Sequence, residues 1–337
     1  MTKSVLIFSH GELIGDGMMK LPFINALKIA FPDAEITWLS GRHHTIFASA
    51  LAPLVQGKIH HIVNHTKLGD SIGDVLFHRW KAVLPRGSYD IIINTDQHLL
   101  ATLMLKRIPH GMFISASLKW LLSDRKVPLG NGQIYYEKPV LLLDRLMNLL
   151  DAATQKKIEP IFLIDIPKNI LSLAKKLLPK GKNILLAPGA GGRFKCWSLQ
   201  NFIDLGNRLV ANDINIGYIL GPAETEWHAQ LAAGVKTAFF PLQETTEKSV
   251  FVTIALARLA DLTIANDGGV GHILASSDSP MISMWGPTDP YKSTPNGKGV
   301  HVMYARDFGE AKMETLTVDL IYTQALKMLE SRGSVQV

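Results

Sequence analysis

N-I-L-L-A-P-G-A-G-G-R-F-K-C-W-S, residues 183–198, joins a short apolar run to a glycine-rich turn, and an amphipathic stretch from Leu199 to Val210 follows. The pattern predicts a strand, a turn and a helix in that order. A glycine-rich turn that leads into a helix can wrap a phosphate with backbone N–H groups, while Arg193 or Lys195 neutralises its charge. Neither G-x-x-x-x-G-K-[ST] nor G-x-G-x-x-G is present, so the stretch is by itself a weak phosphate signal and gives little support to a nicotinamide cofactor.

Short β-branched runs of this kind recur along the whole chain, with longer amphipathic stretches between them. Strands of this length that alternate with helices are typical of parallel, doubly wound sheets, so we expect an α/β fold. Both halves show the pattern, and the runs are residues 4–8, 35–39, 90–94, 183–187, 214–220, 237–240, 261–265 and 281–285. The last amphipathic stretch, Val318 to Glu330, predicts a terminal helix.

The chain has 337 residues, a length at which two domains are expected from a typical size of about 150 residues each. Between the halves lies I-E-P-I-F-L-I-D-I-P-K, residues 158–168, in which two prolines bracket an extended apolar segment. We therefore predict one domain over residues 1–165 and a second over residues 166–337.

The composition, 47% hydrophobic and 19% charged, is that of an ordinary folded protein. The single cysteine, Cys196, cannot form an intramolecular disulfide, which favours a reducing compartment. The first apolar run is too short for a signal peptide, and no run approaches the roughly 18 residues of a membrane span. We expect a cytoplasmic protein that is soluble or peripheral on a membrane. The net charge of +6 permits an anionic partner, although scattered solvated charge is the commoner explanation, and we expect no nucleic acid.

In the first half, the first predicted strand leads directly into S-H-G-E-L-I-G-D-G-M-M-K-L-P, residues 9–22. An open α/β sheet binds ligands at the carboxyl ends of its strands, so Asp16 on this turn would point into such a crevice. An equally good interpretation makes Asp16 the N-cap of the helix that follows.

Two more strand-end loops in the second half carry acids. Glu224 in L-G-P-A-E-T-E, residues 220–226, could accept both hydroxyls of a ribose, although a surface glutamate in the first turn of a helix is commoner. Asp267 lies in N-D-G-G-V-G-H, residues 266–272. Three glycine-bearing strand ends with Lys195, Glu224 and Asp267 indicate a nucleotide diphosphate site more convincingly than any one of them does separately.

Four motifs, in order along nearly the whole chain, resemble glycosyltransferase family nine, the heptosyltransferases that build the inner core of lipopolysaccharide. They are G-D-G-M-M-K-L-P with its helix ending in F-P-D-A-E-I, then P-G-A-G-G-R-F-K-C-W-S, L-G-P-A-E, and N-D-G-G-V-G-H-I-L-A with W-G-P-T-D-P. The resemblance implies a GT-B architecture, in which two Rossmann-like doubly wound domains face each other across a cleft. The N-terminal domain would bind the acceptor, and the C-terminal domain the nucleotide-sugar donor.

Carried over motif by motif, the resemblance implies that Asp16 is the catalytic base, that Lys195 contacts the diphosphate and assists its departure, and that Glu224 contacts the ribose. The implied donor-binding set is Gly189, Gly191, Gly192, Lys195, Glu224, Asp267, Gly268 and Gly269. The cations expected to meet carboxylates or phosphates of the acceptor are Arg42, His43, Lys106 and Arg107. Residues 113–122, F-I-S-A-S-L-K-W-L-L, could rest on a membrane surface, but the sequence favours an ordinary packed helix.

The implied reaction is transfer of heptose, with inversion, from ADP-heptose to a Kdo–lipid A type of acceptor. The chain has no Asp-x-Asp, the motif with which metal-dependent sugar transferases of the other main fold hold a cation, so we expect no metal and no cofactor. Gly268 stands where the family usually has Thr or Ser, and Gly191 and Gly192 stand where hydroxyl residues are common.

Three alternatives stay open, and the departure at Gly268 supports the first of them. One is a GT-B transferase that uses another nucleotide sugar or another glycan acceptor. A second is a nucleotide-sugar binding protein without turnover. The third, an oxidoreductase or sugar epimerase, is disfavoured by the missing G-x-G-x-x-G.

Overall fold

The computed structural model describes residues 3–64, 66–68, 71–77, 80–129 and 138–333. The chain divides into two compact units, residues 1–163 and residues 164–337, each built on a five-stranded sheet. The sequence predicts the boundary two residues further along, after residue 165.

The sheet of the first unit has the strand order β3-β2-β1-β4-β5, and its strand pairs are all parallel. β1 is buried throughout, as expected for a central strand covered on both faces. The strands are β1 Ser4–Ser9, β2 Glu35–Ser40, β3 His61–Val63, β4 Tyr89–Asn94 and β5 His110–Ser115, and the helices are α1 Ile14–Ala30, α2 Ala52–Val55, α3 Ile72–Phe77, α4 Leu99–Leu105 and α5 Leu142–Thr154.

The sheet of the second unit has the strand order β10-β9-β8-β6-β7 and is likewise parallel. Its strands are β6 Asn183–Ala187, β7 Asn215–Tyr218, β8 Leu262–Asn266, β9 Met281–Trp285 and β10 Val300–Tyr304. Its helices are α6 Lys168–Leu177, α7 Leu199–Val210, α8 His228–Gly234, α9 Val250–Leu259, α10 Gly269–Ala275, α11 Pro290–Ser293 and α12 Val318–Gly333. The helix predicted from the opening stretch is therefore α7, and the predicted terminal helix is α12.

In each sheet the chain adds strands first on one side of the unit's first strand and then on the other side. In the first unit the chain moves from β1 outward to β2 and β3 and then crosses to β4 on the other side of β1. In the second unit it moves from β6 to β7 and then crosses to β8 on the other side of β6. Loops diverge at such a switch point and leave a crevice at the carboxyl ends of the two strands, which is where open α/β sheets bind ligands. The topology thus selects the loops after β1 and β4 and the loops after β6 and β8.

Two local predictions are wrong. Residues 237–240 form no strand, because their pairing with β7 is limited to a single bridge between Gly217 and Phe239. In it the amide of Phe239 donates to the carbonyl of Ile216 and the amide of Tyr218 donates to the carbonyl of Phe239, both at 3.0 Å. Residues 113–122 form no α-helix. β5 occupies their first part, and the short 3₁₀ turn Ser117–Trp120 that follows contains left-handed φ values of 50°, 54° and 69° at Leu118, Lys119 and Trp120. The sequence pattern also misses β3, β5 and β10.

Candidate active site

At the switch point of the first unit, the loops after β1 and β4 bring a histidine and an aspartate together. Nε2 of His10 lies 3.6 Å from Oδ1 of Asp96, and the His10 ring lies 5.8 Å from that of His98 in an edge-on arrangement. Asp96 and His98 were not predicted as site residues, because isolated polar residues after a strand do not indicate a site until the strand order is known.

Asp16 lies in the first turn of α1, at the same switch point. The N-cap of α1 is Leu13, whose backbone is extended, so Asp16 does not cap the helix. Its side chain is exposed. Because Asp16 is exposed beside the carboxyl end of β1 and does not cap the helix, the structure favours a role in the site over a role as the N-cap.

The turn between β1 and α1 is tightly determined. Gly11 has a φ of +115°, and a Cβ there would lie 2.5 Å from the carbonyl oxygen of His43, so the turn requires glycine. The amide of His43 donates to the carbonyl of His10 at 2.7 Å, and the amide of Glu12 donates to the carbonyl of His44 at 3.3 Å. These bonds fasten the loop after β2 to the loop after β1.

A buried charge pair that was not predicted from the sequence joins this turn to α1. The ammonium of Lys20 donates to Oε1 of Glu12 and to the hydroxyl of Ser9, both at 2.7 Å, and that hydroxyl donates to the same carboxylate. Burial raises the pKa of Glu12, but the Lys20 charge and the hydroxyls of Ser9 and Thr45 outweigh it and hold the pKa of that carboxyl below its ordinary value. We refer to Ser9, Glu12 and Lys20 as the Glu12 cluster.

The four predicted acceptor residues fall in two places. Arg42 and His43 follow β2, are exposed, and lie at the carboxyl edge of the sheet with the turn that carries Asp16. Lys106 and Arg107 follow α4 and precede the start of β5, which puts them toward the amino edge. There Lys106 donates to the carbonyl of Leu122 at 2.9 Å, and Arg107 donates to a backbone carbonyl of α3. The structure does not bring these last two cations together with Asp16.

At the switch point of the second unit, Asn266 holds the glycine-rich loop against the end of β8. Its amide nitrogen donates to the carbonyl of Pro188 at 2.8 Å, and its amide oxygen accepts from the backbone N–H of Trp197 at 3.1 Å. The side chain is fully buried, and the two hydrogen bonds hold both ends of the loop in place. Asn266 was not among the predicted site residues, although it directly precedes Asp267.

Lys195 and Asp267 meet at this switch point. The Lys195 ammonium lies 2.8 Å from Oδ2 of Asp267, and the hydroxyl of Thr288 donates to the same oxygen at 2.6 Å. The Asp267 side chain is 9% exposed, whereas the Lys195 side chain is 26% exposed. Asp267 is thus covered by its two donors, and the ammonium keeps N–H groups on its open side, since it has three donors in all.

Glu224 lies beside the glycine-rich loop, in the first turn of a 3₁₀ helix, Pro222–Trp227. One carboxylate oxygen accepts from the amide of Gly221 at 3.0 Å, which is a capping contact. A Cβ on Gly189 would lie 2.5 Å from the other oxygen, so only glycine at position 189 lets the loop and this carboxylate approach each other. The capping contact therefore occupies one carboxylate oxygen of Glu224, and the other oxygen lies against the glycine-rich loop.

The remaining glycines of the predicted donor set differ in their surroundings. A Cβ on Gly191 would meet nothing within 4 Å, and one on Gly192 would meet the ring of Phe194 at 2.7 Å. A Cβ on Gly268 would lie 3.0 Å from Cα of Ala190. Gly269 begins α10. The departure from the family at Gly268 therefore permits a close backbone approach between the loops after β6 and β8.

The described residues offer neither a clustered metal site nor a membrane-spanning helix. Among them, no group of three or more His, Cys, Asp or Glu side chains could hold a metal ion. None of the described helices combines the length and the apolar character needed to cross a bilayer.

Comparison with known proteins decides the family. The model of glycosyltransferase family 9 (heptosyltransferase) matches residues 77–317. The chain belongs to glycosyltransferase family 9. It is therefore a glycosyltransferase, as the sequence motifs predict.

Relatives of this glycosyltransferase are distant in sequence. It is 27% identical to lipopolysaccharide heptosyltransferase 3 of Escherichia coli over 88% of this chain and 87% of that protein. It is 20% identical to the lipopolysaccharide core heptosyltransferase OpsX of Haemophilus influenzae over 84% of this chain and 79% of that protein.

Solved structures of the family share the fold of this glycosyltransferase. A family 9 glycosyltransferase from Veillonella parvula matches with a TM-score of 0.71 at 16% identity, covering 98% of this chain and 97% of that one. Escherichia coli heptosyltransferase WaaC with ADP-2-deoxy-2-fluoro heptose matches with a TM-score of 0.66 at 19% identity, covering 96% and 99%. The two parallel-sheet α/β units are those of GT-B heptosyltransferases, which confirms the predicted fold class.

Proposed function

We propose that this glycosyltransferase moves a heptose from ADP-heptose to the inner core of lipopolysaccharide, with inversion at the anomeric carbon. Support comes from the family, from relatives named as lipopolysaccharide heptosyltransferases, and from the solved structure of a heptosyltransferase with ADP-2-deoxy-2-fluoro heptose. The observation that carries the proposal is the half-open Lys195, which Asp267 holds beside the glycine-rich loop at a switch point.

The second unit would bind the donor. The diphosphate would lie along the loop of Gly189, Gly191 and Gly192, where backbone N–H groups and the open side of the Lys195 ammonium can meet its oxygens. Asp267 would act mainly as the counter-charge that fixes Lys195, with the amides of Gly268 and Gly269 beside it. The second oxygen of Glu224 would accept a ribose hydroxyl.

The first unit would supply the base. In this mechanism Asp16 removes the proton from an acceptor hydroxyl as its oxygen attacks the anomeric carbon. The bond from that carbon to the diphosphate oxygen breaks, and Lys195 and the loop amides stabilise the negative charge that leaves with the nucleotide. A single displacement of this kind inverts the anomeric centre. A positioned general base contributes about 10²- to 10⁴-fold.

Arg42 and His43 are the acceptor contacts that we retain, because they lie on the loop that is fastened to the turn before Asp16. Lys106 and Arg107 donate to backbone carbonyls elsewhere in the first unit, so we leave them out of the acceptor site.

We propose that no divalent cation and no cofactor is required, since Lys195 and the loop amides provide the positive potential that a metal ion provides in other sugar transferases. Transfer should persist after treatment with EDTA and dialysis. Activity that is lost on this treatment and restored by Mg²⁺ would contradict the claim.

A panel of donors tests the choice of substrate. Calorimetry with ADP-heptose and with GDP-, UDP- and dTDP-sugars should show preference for the adenine nucleotide. The second candidate, transfer of another nucleotide sugar or to another glycan, is favoured by the glycines at positions 191, 192 and 268, where hydroxyl contacts to a phosphate are missing. Preference for a different nucleotide would establish that candidate and leave the fold and reaction class unchanged.

We also propose that the turn after β5 rests on the anionic cytoplasmic face of the inner membrane. Leu118 and Leu121 are 53% and 73% exposed, with Lys119 between them and Arg125 close behind. The left-handed backbone at Leu118 and Lys119 holds leucine side chains in water, a cost that a lipid surface would remove. The Leu118→Ser/Leu121→Ser variant should lose sedimentation with anionic vesicles, while the native protein sediments. Equal sedimentation of the two would contradict the idea.

A further inference from the structure

The Glu12 cluster is a nearly enclosed ionic group in a place where the proposed mechanism uses no charge. The side chain of Glu12 is 0% exposed and that of Lys20 is 9% exposed. The Lys20 ammonium also lies 5.9 Å from the centre of the Trp38 ring on β2. With so little solvent access, neither charged group can reach a substrate.

A buried pair of this kind is a poor device for stability alone. Removing two charges from water costs about as much as their attraction returns, so well-packed apolar residues of similar volume often serve as well. The best-attested use of such pairs is to specify one arrangement of the chain among several. The question is therefore which arrangement the Glu12 cluster specifies.

The three residues belong to three consecutive pieces of chain. Ser9 is the last residue of β1, Glu12 lies in the turn, and Lys20 lies in the second turn of α1. The backbone of Glu12 is held as well, because its carbonyl accepts from the amide of Ile46 at 3.2 Å. The cluster therefore fixes the position of the first turns of α1 relative to the end of β1.

Asp16 lies inside this tied segment, four residues after Glu12 and four before Lys20. Residues four apart are neighbours on a helix, so movement of Lys20 along or around the helix axis would move Asp16 with it. The pair is also neutral as a whole, and it can hold the turn without adding a net charge next to the proposed base.

We propose that Glu12 and Lys20 are positioning residues for Asp16, with Ser9 as the hydroxyl that joins them to β1. This inference rests on the proposed role of Asp16 as the base. Catalytic groups must be held to within a fraction of an ångström, and a misplacement of about 1 Å can cost 10²-fold in rate.

The test is a double-mutant cycle between the cluster and Asp16, measured as single-turnover transfer from ADP-heptose with product detected by mass spectrometry. The Glu12→Gln/Lys20→Met variant removes both charges and nearly preserves volume, so it should fold. We expect its rate to fall about 10- to 100-fold with donor affinity unchanged. In an Asp16→Asn background the same two changes should lower the residual rate less than about 2-fold, because the base they position is gone.

A matched control is available in the same unit. Asp151 on α5 is also a nearly covered carboxylate, 3.1 Å from the Lys157 ammonium, and it accepts from the amide of Ile158. The Asp151→Asn/Lys157→Met variant should leave the rate unchanged in both backgrounds. A Lys20→Arg variant, which keeps the pair, should recover most of the native rate.

The outcomes separate the two proposals. Equal fold losses in the native and Asp16→Asn backgrounds, or a native rate in the Glu12→Gln/Lys20→Met variant, would overturn the positioning role while leaving Asp16 as the base. Full turnover by the Asp16→Asn protein would remove the base itself, and with it both the proposed mechanism and this inference.

Discussion

Each unit carries a lysine–carboxylate pair beside its switch point, and the two pairs differ in their access to solvent. The distances between nitrogen and oxygen are nearly equal, 2.7 Å for Lys20 and Glu12 and 2.8 Å for Lys195 and Asp267. The Lys20 side chain is 9% exposed and that of Lys195 is 26% exposed. Equal geometry therefore does not imply equal function, because an enclosed pair can only hold the chain, whereas a half-open pair can also offer N–H donors to a ligand.

The largest expected effect is on stability, from breaking the enclosed pair. Lys20→Met leaves the Glu12 carboxylate buried without its partner and should lower the free energy of unfolding by about 3–5 kcal/mol. Lys195→Met should cost less, about 1–3 kcal/mol, because the Asp267 carboxylate, although only 9% exposed, keeps the hydrogen bond from Thr288. Urea denaturation at pH 7 measures both changes. Equal losses would show that the two pairs do not differ in the way described.

The pH dependence of the Lys20→Met variant checks the physical cause. In the native protein the pKa of Glu12 is lowered, so its contribution to stability is present above its ordinary pKa and is lost as the pH falls through the lowered value. Without Lys20, burial dominates and raises the pKa, so the variant should lose stability as the pH rises above the ordinary value for glutamate. Its deficit relative to the native protein should therefore be smaller at pH 4 than at pH 7. A constant deficit would contradict this explanation.

The next effect is on catalysis, from removing the half-open lysine. Lys195→Met should lower kcat by about 10²- to 10³-fold, the usual loss when one donor to a developing oxyanion is removed, and it should weaken ADP binding. The control is Arg193→Met on the same loop, whose guanidinium pairs with Glu226 in solvent and is 79% exposed. Steady-state kinetics and calorimetry with ADP give the comparison. Similar losses in both variants would mean that loop charge in general, rather than Lys195, matters.

A smaller effect should follow from releasing the loop that carries Lys195. Asn266→Ala removes both bonds to the loop and leaves the N–H of Trp197 and the carbonyl of Pro188 buried without those partners, which costs about 1–3 kcal/mol per group. Calorimetry should show weaker ADP binding, and denaturation a less stable protein. Gln200→Ala, which loses only an exposed bond to Asp204, should change neither quantity. Unchanged ADP affinity in Asn266→Ala would separate the loop from the donor site.

The smallest effect concerns Gly268, the departure from the family. In Gly268→Ser the new Cβ would lie 3.0 Å from Cα of Ala190, so the glycine-rich loop must shift by a few tenths of an ångström at a cost of about 1 kcal/mol. The added hydroxyl should not raise ADP affinity, because the backbone N–H groups already provide donors. A clear gain in affinity would show that a hydroxyl at this position is a missing donor contact.

The sequence predicts the two α/β units and the glycine-rich loops after their strands because these depend on local patterns. α7 runs from Leu199 to Val210 as its periodicity requires. The pairing of Lys20 with Glu12 could not be predicted, since a lysine eight residues away across a turn looks like a surface residue. Thr288, Asn266 and the His10–Asp96 contact became visible only with the strand order. The helix favoured for residues 113–122 failed because apolar periodicity does not exclude a strand followed by left-handed residues.

We propose that the first unit supplies the base and the second binds the donor. The Asp16→Asn protein tests this most directly when it is assayed for heptose transfer and, by calorimetry, for ADP binding. The account predicts that transfer falls by about 10²- to 10⁴-fold while ADP affinity stays at the native value, because the proposed base and the proposed donor site belong to different units. Native transfer by Asp16→Asn, or a loss of ADP binding equal to that of Lys195→Met, would contradict it.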